Sequence, residues 1–147
     1  MPIRLRPARA EDLPGCAEII NDYIDATEWL PRSKSAEEIA AMFTPEMLDS
    51  RCLMVVDDGS RVLGYASYDR AARFLPALYL RPEVRGNGLG KLLLDAVKAE
   101  ALLGFDLTVW CANPAARRFY GREGLVLTGE GTDADGLPVW HMHWAAP

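Results

Sequence analysis

Three glycines alternate with other residues directly before an amphipathic pattern, at Gly86, Gly88 and Gly90. Glycine adopts backbone conformations that residues with a Cβ resist, and it leaves no side chain to block a ligand. The first N–H groups of a helix have no partner within that helix, and the helix dipole adds about half a positive charge at the same end. This stretch therefore predicts a binding site for an anion such as a phosphate.

Two familiar phosphate-binding loops do not fit these letters. A Walker A loop needs glycine, four residues, Gly-Lys and then Ser or Thr, but Arg85 stands at the first glycine and Leu92 follows Lys91. The dinucleotide pattern G-x-G-x-x-G fails in both frames, because its last position falls on Lys91 or Leu93. The sequence therefore argues against an enzyme that uses a nucleoside triphosphate.

The pattern that does fit is R-x-x-G-x-G, formed by Arg85, Gly88 and Gly90 after an L-x-L-x-P stretch. It resembles the coenzyme A pyrophosphate loop of the GNAT acetyltransferase superfamily. A second segment, residues 113–125, is similar to the family's N-x-x-A-x-x-F-Y-x-x-x-G-F segment, with Leu125 in place of the usual Phe. The order of the predicted elements resembles the whole domain, so the likeness covers almost the entire chain.

In that family the acyl-coenzyme enters a gap between the fourth and fifth strands. The resemblance implies that acetyl-CoA is the cosubstrate, that no metal takes part, and that Tyr120 stands beside the sulfur. The positions that would hold the coenzyme are Leu78, Tyr79, Leu80, Arg85, Gly86, Asn87, Gly88, Leu89, Gly90, Lys91 and Asn113. Two simpler interpretations stay open: Asn113 before Pro114 is also a good helix N-cap, and Tyr120 could be a core aromatic.

Attack of an amine on a thioester requires a donor for the developing oxyanion and a proton for the departing thiolate. A tyrosine with an ordinary pKa of about 10 can protonate a thiolate whose acid has a pKa of about 8.5. We therefore expect Tyr120 to be the general acid of a direct attack within a ternary complex. A backbone N–H near Leu80 would be the oxyanion donor. Cysteine does not fit as an acyl carrier, because Cys16, Cys52 and Cys111 have no base beside them in the sequence.

The general base is the least defined part of the predicted site. Many relatives carry a glutamate on the fourth or fifth strand, where this chain has Pro76, Ala77 and Thr108. We therefore expect a base that acts through water, with Glu28 as the choice. The other candidates are Asp25, Asp69, His141 and His143. The missing strand carboxylate also keeps a second function open, a catalytically weak module that binds coenzyme A or senses acyl-CoA.

Hydrophobic periodicity places these residues on a framework of strands and helices. Strands are predicted at residues 3–6, 52–56, 62–68, 74–80, 105–110, 125–129 and 138–144. Helices are predicted from near Glu11, from the capping box of Ser35 and Glu38, over residues 89–103, and from Asn113 to Gly124. The resemblance implies a mixed α/β (α+β) GNAT fold. Its central, mostly antiparallel sheet has six to seven strands with a splayed parallel pair, strands four and five, and about four flanking helices.

Apolar residues that recur at intervals of three and four predict the buried face of each helix. The second helix would bury Ile39, Met42 and Phe43. The helix after the glycine turn would bury Leu89, Leu92, Leu93, Ala96 and Val97. Residues 3–6 alternate apolar and basic types, which predicts a short strand exposed on one face.

Length and composition predict one domain, residues 1–147, with an ordinary globular core. A net charge of −5 argues against nucleic-acid binding and suits a cationic amine. The chain has no apolar run of membrane-spanning length and no signal-like start, so we expect a cytoplasmic protein with reduced cysteines.

The acceptor itself is not identified by the sequence. In the resembled family the loop after the first helix lines the acceptor site, which makes Trp29 a candidate for its wall. His141 and His143 share a strand face, but no third metal ligand accompanies them. A homodimer contact through the last strands is open, because Val139, Trp140, Met142 and Trp144 are either edge material or core.

Overall fold

One mixed sheet organises residues 2–147, the part of the chain that the computed structural model describes. Its seven strands lie in the order β1-β2-β3-β4-β5-β7-β6. They are β1 (Arg4–Pro7), β2 (Cys52–Asp57), β3 (Val62–Asp69), β4 (Phe74–Leu80), β5 (Phe105–Trp110), β6 (Val126–Thr132) and β7 (Pro138–Trp144). Every neighbouring pair is antiparallel except β4 and β5, which are parallel. The predicted mixed sheet with a parallel pair of strands four and five is confirmed.

Five α-helices flank this sheet within the same residues. They are α1 (Leu13–Ala26), α2 (Ala36–Met42), α3 (Pro45–Ser50), α4 (Leu89–Glu100) and α5 (Pro114–Arg122). The sequence prediction missed α3, because its six residues are too few for a periodic pattern. Proline at its first position, after Thr44, is the signal that could have found it.

Helices α1 and α4 belong to two separate apolar clusters. Helix α4 contributes Leu89, Leu93, Leu94 and Val97 to one cluster, while Leu13, Cys16 and Ile19 of α1 belong to the other. The predicted buried face of α4 was wrong at Leu92, which is 43% exposed, whereas Leu94 is fully buried. Three consecutive leucines leave the phase of the helix undefined, and packing against the sheet decides it. Met42 of α2, also predicted to be buried, is exposed.

Helix α4 ends at Glu100, three residues earlier than predicted. Leu102 and Leu103 are exposed in the following turn, and the Gly104 N–H donates to the Ala101 carbonyl. Gly104 has a φ of +84°, a conformation that glycine adopts without the strain of a Cβ. Gly104 therefore ends this segment as predicted, but residues 101–104 form a turn and not the last turn of the helix.

Strand β1 is less regular in its exposure than its alternating residues suggest. Leu5 is 38% exposed, whereas the Arg6 side chain is only 18% exposed. The Arg6 guanidinium lies between the carboxylates of Asp12 and Asp57, at 2.7 Å and 2.6 Å. On β1 the ion pairs of Arg6 therefore keep an arginine side chain less exposed than the neighbouring Leu5.

Strand β7 is an interior strand, with β5 on one side and β6 on the other. Val139 and Met142 are buried, and Trp140 and Trp144 pack against the same core. The residues considered for a dimer edge are therefore core residues, and the sheet edges are β1 and β6.

Among the helices of the described chain, none has the length and apolar character needed to cross a bilayer.

Candidate active site

A cleft opens where β4 and β5 separate. The two strands pair at only one register position, Phe74 with Asp106, and then diverge. Pro76 follows shortly after this pair and has no N–H with which to extend a ladder. The diverging strands, the glycine loop, α5 and the end of α1 line a cleft of about 940 Å³. The splayed parallel pair expected from the resemblance is therefore present.

The glycine loop connects β4 to α4 at one end of this cleft. Gly86 and Gly88 have φ values of +81° and +80°, in the left-handed region that L side chains rarely adopt. A Cβ added to either glycine would find no atom within 4 Å. These glycines are therefore required by backbone conformation, and the space in front of them is open to a ligand.

The N–H groups of this loop face no internal acceptor. The first helical hydrogen bond of α4 runs from Leu92 N to the Gly88 carbonyl. Before it, the N–H groups of residues 86–91 donate to no carbonyl within residues 2–147. Unpaired N–H groups at a helix N-terminus, together with the helix dipole, are suited to an anion.

The two basic side chains predicted for the coenzyme differ in their surroundings. Arg85 donates from Nη2 to the Leu80 carbonyl at 3.3 Å, and its guanidinium lies 5.9 Å from the centre of the Tyr23 ring. Arg85 therefore lies across the cleft. Lys91 Nζ is 3.0 Å from the Glu123 carboxylate, so its charge is already paired with an acid.

Tyr120 lies on α5 and lines the cleft beside Phe119. Burial raises the pKa of Tyr120 above its ordinary value, and the neighbouring Tyr23 adds to the effect. The phenol of Tyr120 is therefore protonated at neutral pH. A protonated phenol in the cleft can donate a proton or a hydrogen bond.

Asn113 does two things at the start of α5. Its Oδ1 accepts a hydrogen bond from Ala116 N at 3.2 Å, so it is the N-cap of the helix. Its Nδ2 donates to the Tyr23 hydroxyl at 3.4 Å, on the cleft side. The capping interpretation is thus correct, and it leaves the amide nitrogen at the cleft.

Tyr23 is a cleft residue that the sequence analysis did not assign to the site. It has a core residue's periodicity in α1, but it lies near the end of that helix, where the cleft begins. Its ring is stacked against Trp110 at 6.3 Å and 15°, and Trp29 meets Trp110 edge-on at 5.5 Å. We call Tyr23, Trp29 and Trp110 the aromatic wall. All three line the cleft.

Glu28 is the one base candidate that lines the cleft, where its side chain is exposed. The remaining candidates lie outside it, at Asp25, Asp69, His141 and His143. Asp25 is paired with Arg32 at 2.9 Å, and His143 Nδ1 lies 2.8 Å from Asp106 Oδ1. Within residues 2–147, no group of three or more His, Cys, Asp or Glu side chains is arranged to hold a metal ion.

The glutamate that many relatives carry on the fourth or fifth strand has no counterpart on β4 or β5 of this structure. Pro76, Ala77 and Thr108 all line the cleft, and none of them can take a proton from an amine. The carboxylates that do line the cleft are Glu28, in the loop after α1, and Glu123, the C-cap of α5, which is paired with Lys91.

Comparison with known proteins places the chain in a family. Residues 21–146 match the family model described as Acetyltransferase (GNAT) domain. An L-methionine sulfoximine/L-methionine sulfone acetyltransferase of Pseudomonas aeruginosa is 28% identical over 88% of this chain and 84% of its own length. The peptidyl-lysine N-acetyltransferase YjaB of Salmonella typhimurium is 30% identical over 88% of this chain and 87% of its own length.

The fold is also that of solved acetyltransferases. The structure of yncA from Salmonella typhimurium, determined with its cofactor acetyl-CoA, superposes with a TM-score of 0.80. It covers all of this chain and 95% of that one, at 21% identity. With the family match over most of its length, the splayed strands and the glycine loop, the chain belongs to the GNAT family of acetyltransferases.

Proposed function

We propose that this protein transfers the acetyl group of acetyl-CoA to a primary amine by direct attack within a ternary complex. One observation carries the proposal: the opening between β4 and β5 joins an anion-suited loop at one end to a protonated tyrosine within the cleft. The relatives support it, since one is named for acetylating an amino acid derivative and another for peptidyl-lysine. We take residues 1–147 to act as one catalytic domain.

Coenzyme binding would use main-chain groups more than side chains. The free N–H groups of residues 86–91 would hold the pyrophosphate, and the unpaired edge of residues 78–80 in β4 would pair with the amides of the pantetheine arm. Arg85 would release the Leu80 carbonyl and turn to the phosphates. Asn113 would offer its Nδ2 to the same arm.

The chemical step needs one proton donor and one proton acceptor. The amine nitrogen forms a bond to the thioester carbon, and the C–S bond then breaks. Tyr120 gives its proton to the departing thiolate and recovers one from solvent or from the new ammonium group. Since burial raises the pKa of Tyr120, its proton is in place throughout the neutral range.

The amine must lose a proton before it can attack. An alkyl amine with a pKa of about 10.4 is almost wholly protonated at pH 7. Glu28 would accept this proton through a water molecule, because it is the exposed carboxylate at the cleft among the base candidates. The apolar surroundings of the aromatic wall would favour the neutral amine further.

The test is calorimetric titration with acetyl-CoA, followed by measurement of thiol release in the presence of amines. We expect micromolar binding to the wild-type protein. We expect about tenfold weaker binding for Arg85→Glu, because a like charge would then face the phosphates. Arg118→Glu is the matched control, since it makes the same charge change at an exposed position outside the cleft.

Two outcomes would contradict the proposal. Absence of acetyl-CoA binding to the wild-type protein would refute the assignment of the glycine loop. Tight binding without thiol release, for any primary amine in a broad panel, would instead favour the coenzyme-binding module.

A further inference from the structure

The indole N–H of Trp110 is hydrogen-bonded to a carboxylate that lies outside the cleft. Trp110 Nε1 donates a hydrogen bond to Asp133 Oδ2 at 2.8 Å. Asp133 lies beyond the end of β6, in the hairpin loop that leads to β7, and it does not line the cleft. Its side-chain hydrogen bond to a residue that lines the cleft is the one to Trp110.

Asp133 is itself fixed by its own loop. Its Oδ1 accepts hydrogen bonds from Asp135 N and Leu137 N, both at 2.9 Å, and its backbone N–H donates to the Leu137 carbonyl. Oδ1 of Asp133 therefore closes the loop, and Oδ2 accepts the hydrogen bond from the Trp110 indole. The Trp110 N–H, together with the loop N–H groups, lowers the pKa of Asp133, so the group is an ionised acceptor at neutral pH.

Trp110 is the central member of the aromatic wall. It stacks with Tyr23 on α1 and makes a T-shaped contact with Trp29 in the following loop. Three segments that are distant in sequence therefore meet at one indole: the end of α1 with its loop, the end of β5, and the hairpin between β6 and β7. Large aromatic faces in a cleft bind apolar groups by burial, with little side-chain entropy to lose.

We infer that the aromatic wall binds the part of the acceptor molecule that carries the amine. This part is an extended apolar arm, such as a chain of several methylene groups. Asp133 positions Trp110 for this contact. The inference rests on the proposed function, because it concerns how the acceptor binds in the same cleft. It assigns acceptor selection to Trp110 and makes Asp133 a positioning residue.

Asp133→Asn tests this inference by changing one atom. The asparagine Oδ1 can keep both loop hydrogen bonds, but an NH₂ group then faces the Trp110 N–H, and two donors repel each other. The probes are hexylamine and ethylamine, titrated by calorimetry into protein saturated with coenzyme A. Both carry the same reactive group, and they differ only in the length of the apolar arm.

We expect wild-type protein to bind hexylamine about tenfold more tightly than ethylamine, because each buried methylene adds to affinity. Asp133→Asn should weaken hexylamine binding about fivefold, and ethylamine binding by less than about twofold, since only the longer arm reaches the misplaced indole. Where these amines are acetylated, KM should rise for hexylamine while kcat stays within about twofold.

A double-mutant cycle separates positioning from general loosening. In Trp110→Phe the indole N–H is gone, so Asp133→Asn should have no further effect on hexylamine binding. Asp58→Asn is the matched control, because Asp58 closes the β2–β3 hairpin with similar bonds to Ser60 N and Arg61 N, away from the cleft. It should leave both amine affinities unchanged.

The inference is wrong if hexylamine and ethylamine bind equally, or if Asp133→Asn acts as strongly in the Trp110→Phe background as in the wild type. Acetyl-CoA affinity is measured on every variant. If coenzyme binding is normal and Asp133→Asn has the amine preference of the wild type, the positioning role of Asp133 is overturned. If coenzyme binding is normal and the wild type binds both amines equally, the assignment of the aromatic wall is overturned. If the wild-type protein does not bind acetyl-CoA, the proposed function itself is overturned.

Discussion

Tyr120 shows how a residue's surroundings decide what chemistry it can do. A phenol with an ordinary pKa of about 10 is already a weak acid. Burial in the cleft raises the pKa of Tyr120, and Tyr23 beside it adds to the shift. The F-Y pair in the resembled motif predicted this position, but only the structure shows that a second phenol and the Asn113 amide lie with it.

Replacing Tyr120 with phenylalanine tests its assignment as the general acid. We expect kcat to fall by about 100-fold or more, because the thiolate would leave without a positioned proton donor. The dissociation constant of acetyl-CoA, measured by calorimetry, should change little, since the ring remains. Tyr68→Phe is the control, because Tyr68 is a buried tyrosine of β3 that does not line the cleft.

The pH profile provides a second measurement of the same assignment. The acid must be protonated and the amine must be neutral, so the rate should rise with pH toward the pKa of the amine. Because the pKa of Tyr120 lies above its ordinary value of about 10, the rate should not fall until the pH exceeds 10. Unchanged turnover in Tyr120→Phe, or a decline that begins near neutral pH, would contradict the role.

At the scale of elements, the junction between β4 and α4 is the most strongly specified part of the chain. The residues of this junction determine its conformation directly. Gly86 and Gly88 adopt positive φ values, and helix α4 begins at Leu89. This junction was predictable because backbone conformation depends mainly on the residue itself. The face that α4 buries was not predictable, because three successive leucines, residues 92–94, fit more than one phase.

Two glycine-to-alanine substitutions should have opposite effects on stability. Gly88→Ala should reduce the free energy of unfolding by about 1 kcal/mol, since alanine is strained at positive φ. Gly121→Ala should increase it by about 0.5–1 kcal/mol, because Gly121 lies within α5, where alanine is the better helix former. A Cβ at either position meets no atom within 4 Å, so no clash confuses the comparison.

Denaturant unfolding measures both changes, and calorimetry measures coenzyme binding. Gly88→Ala should also weaken acetyl-CoA binding, while Gly121→Ala should not. Equal effects of the two substitutions on stability would show that the left-handed conformation at Gly88 carries no cost.

At the scale of the molecule, a buried ionic cluster ties the beginning of the chain to the sheet. Arg6 on β1 contacts Asp12 before α1 and Asp57 at the end of β2. The Arg6 hydrogen bonds lower the pKa of Asp12. Burial would raise the pKa of Asp57, but the Gly59 N–H and the guanidinium groups of Arg6 and Arg4 outweigh it and lower that pKa too.

Arg6→Met should therefore destabilise the fold by about 3 kcal/mol at pH 7, because two enclosed carboxylates lose their main partner. Both aspartates have lowered folded pKa values, so their contribution is present above the ordinary pKa of 3.8 and is lost as pH falls through the lower folded values. The difference in melting temperature between wild type and variant should shrink between pH 5 and pH 2, a window of about three units around those values.

Arg70→Met provides the comparison for this experiment. Arg70 pairs with Glu100 at 3.4 Å, and both side chains are about half exposed, so its loss should cost less than about 0.5 kcal/mol. A similar cost for the two substitutions would mean that the enclosed cluster contributes no more than a surface ion pair.

The sequence by itself determined the features that depend on neighbours along the chain. The positive-φ glycines, the N-cap at Asn113 with Pro114, the capping box at Ser35 and the order of strands and helices apart from α3 are all of this kind. They follow from single-residue conformational preferences and from short-range hydrogen bonds, so letters and spacing suffice to predict them.

Only the tertiary structure decided the features that join distant segments. These include the single register pair between β4 and β5 that opens the cleft, and the contact of Trp110 with Asp133. They also include the position of Glu28 at the cleft, the interior place of β7 and the enclosure of Arg6. Each depends on strand register or on side chains brought together by packing, and the free energy of such contacts is not encoded in any local stretch of the chain.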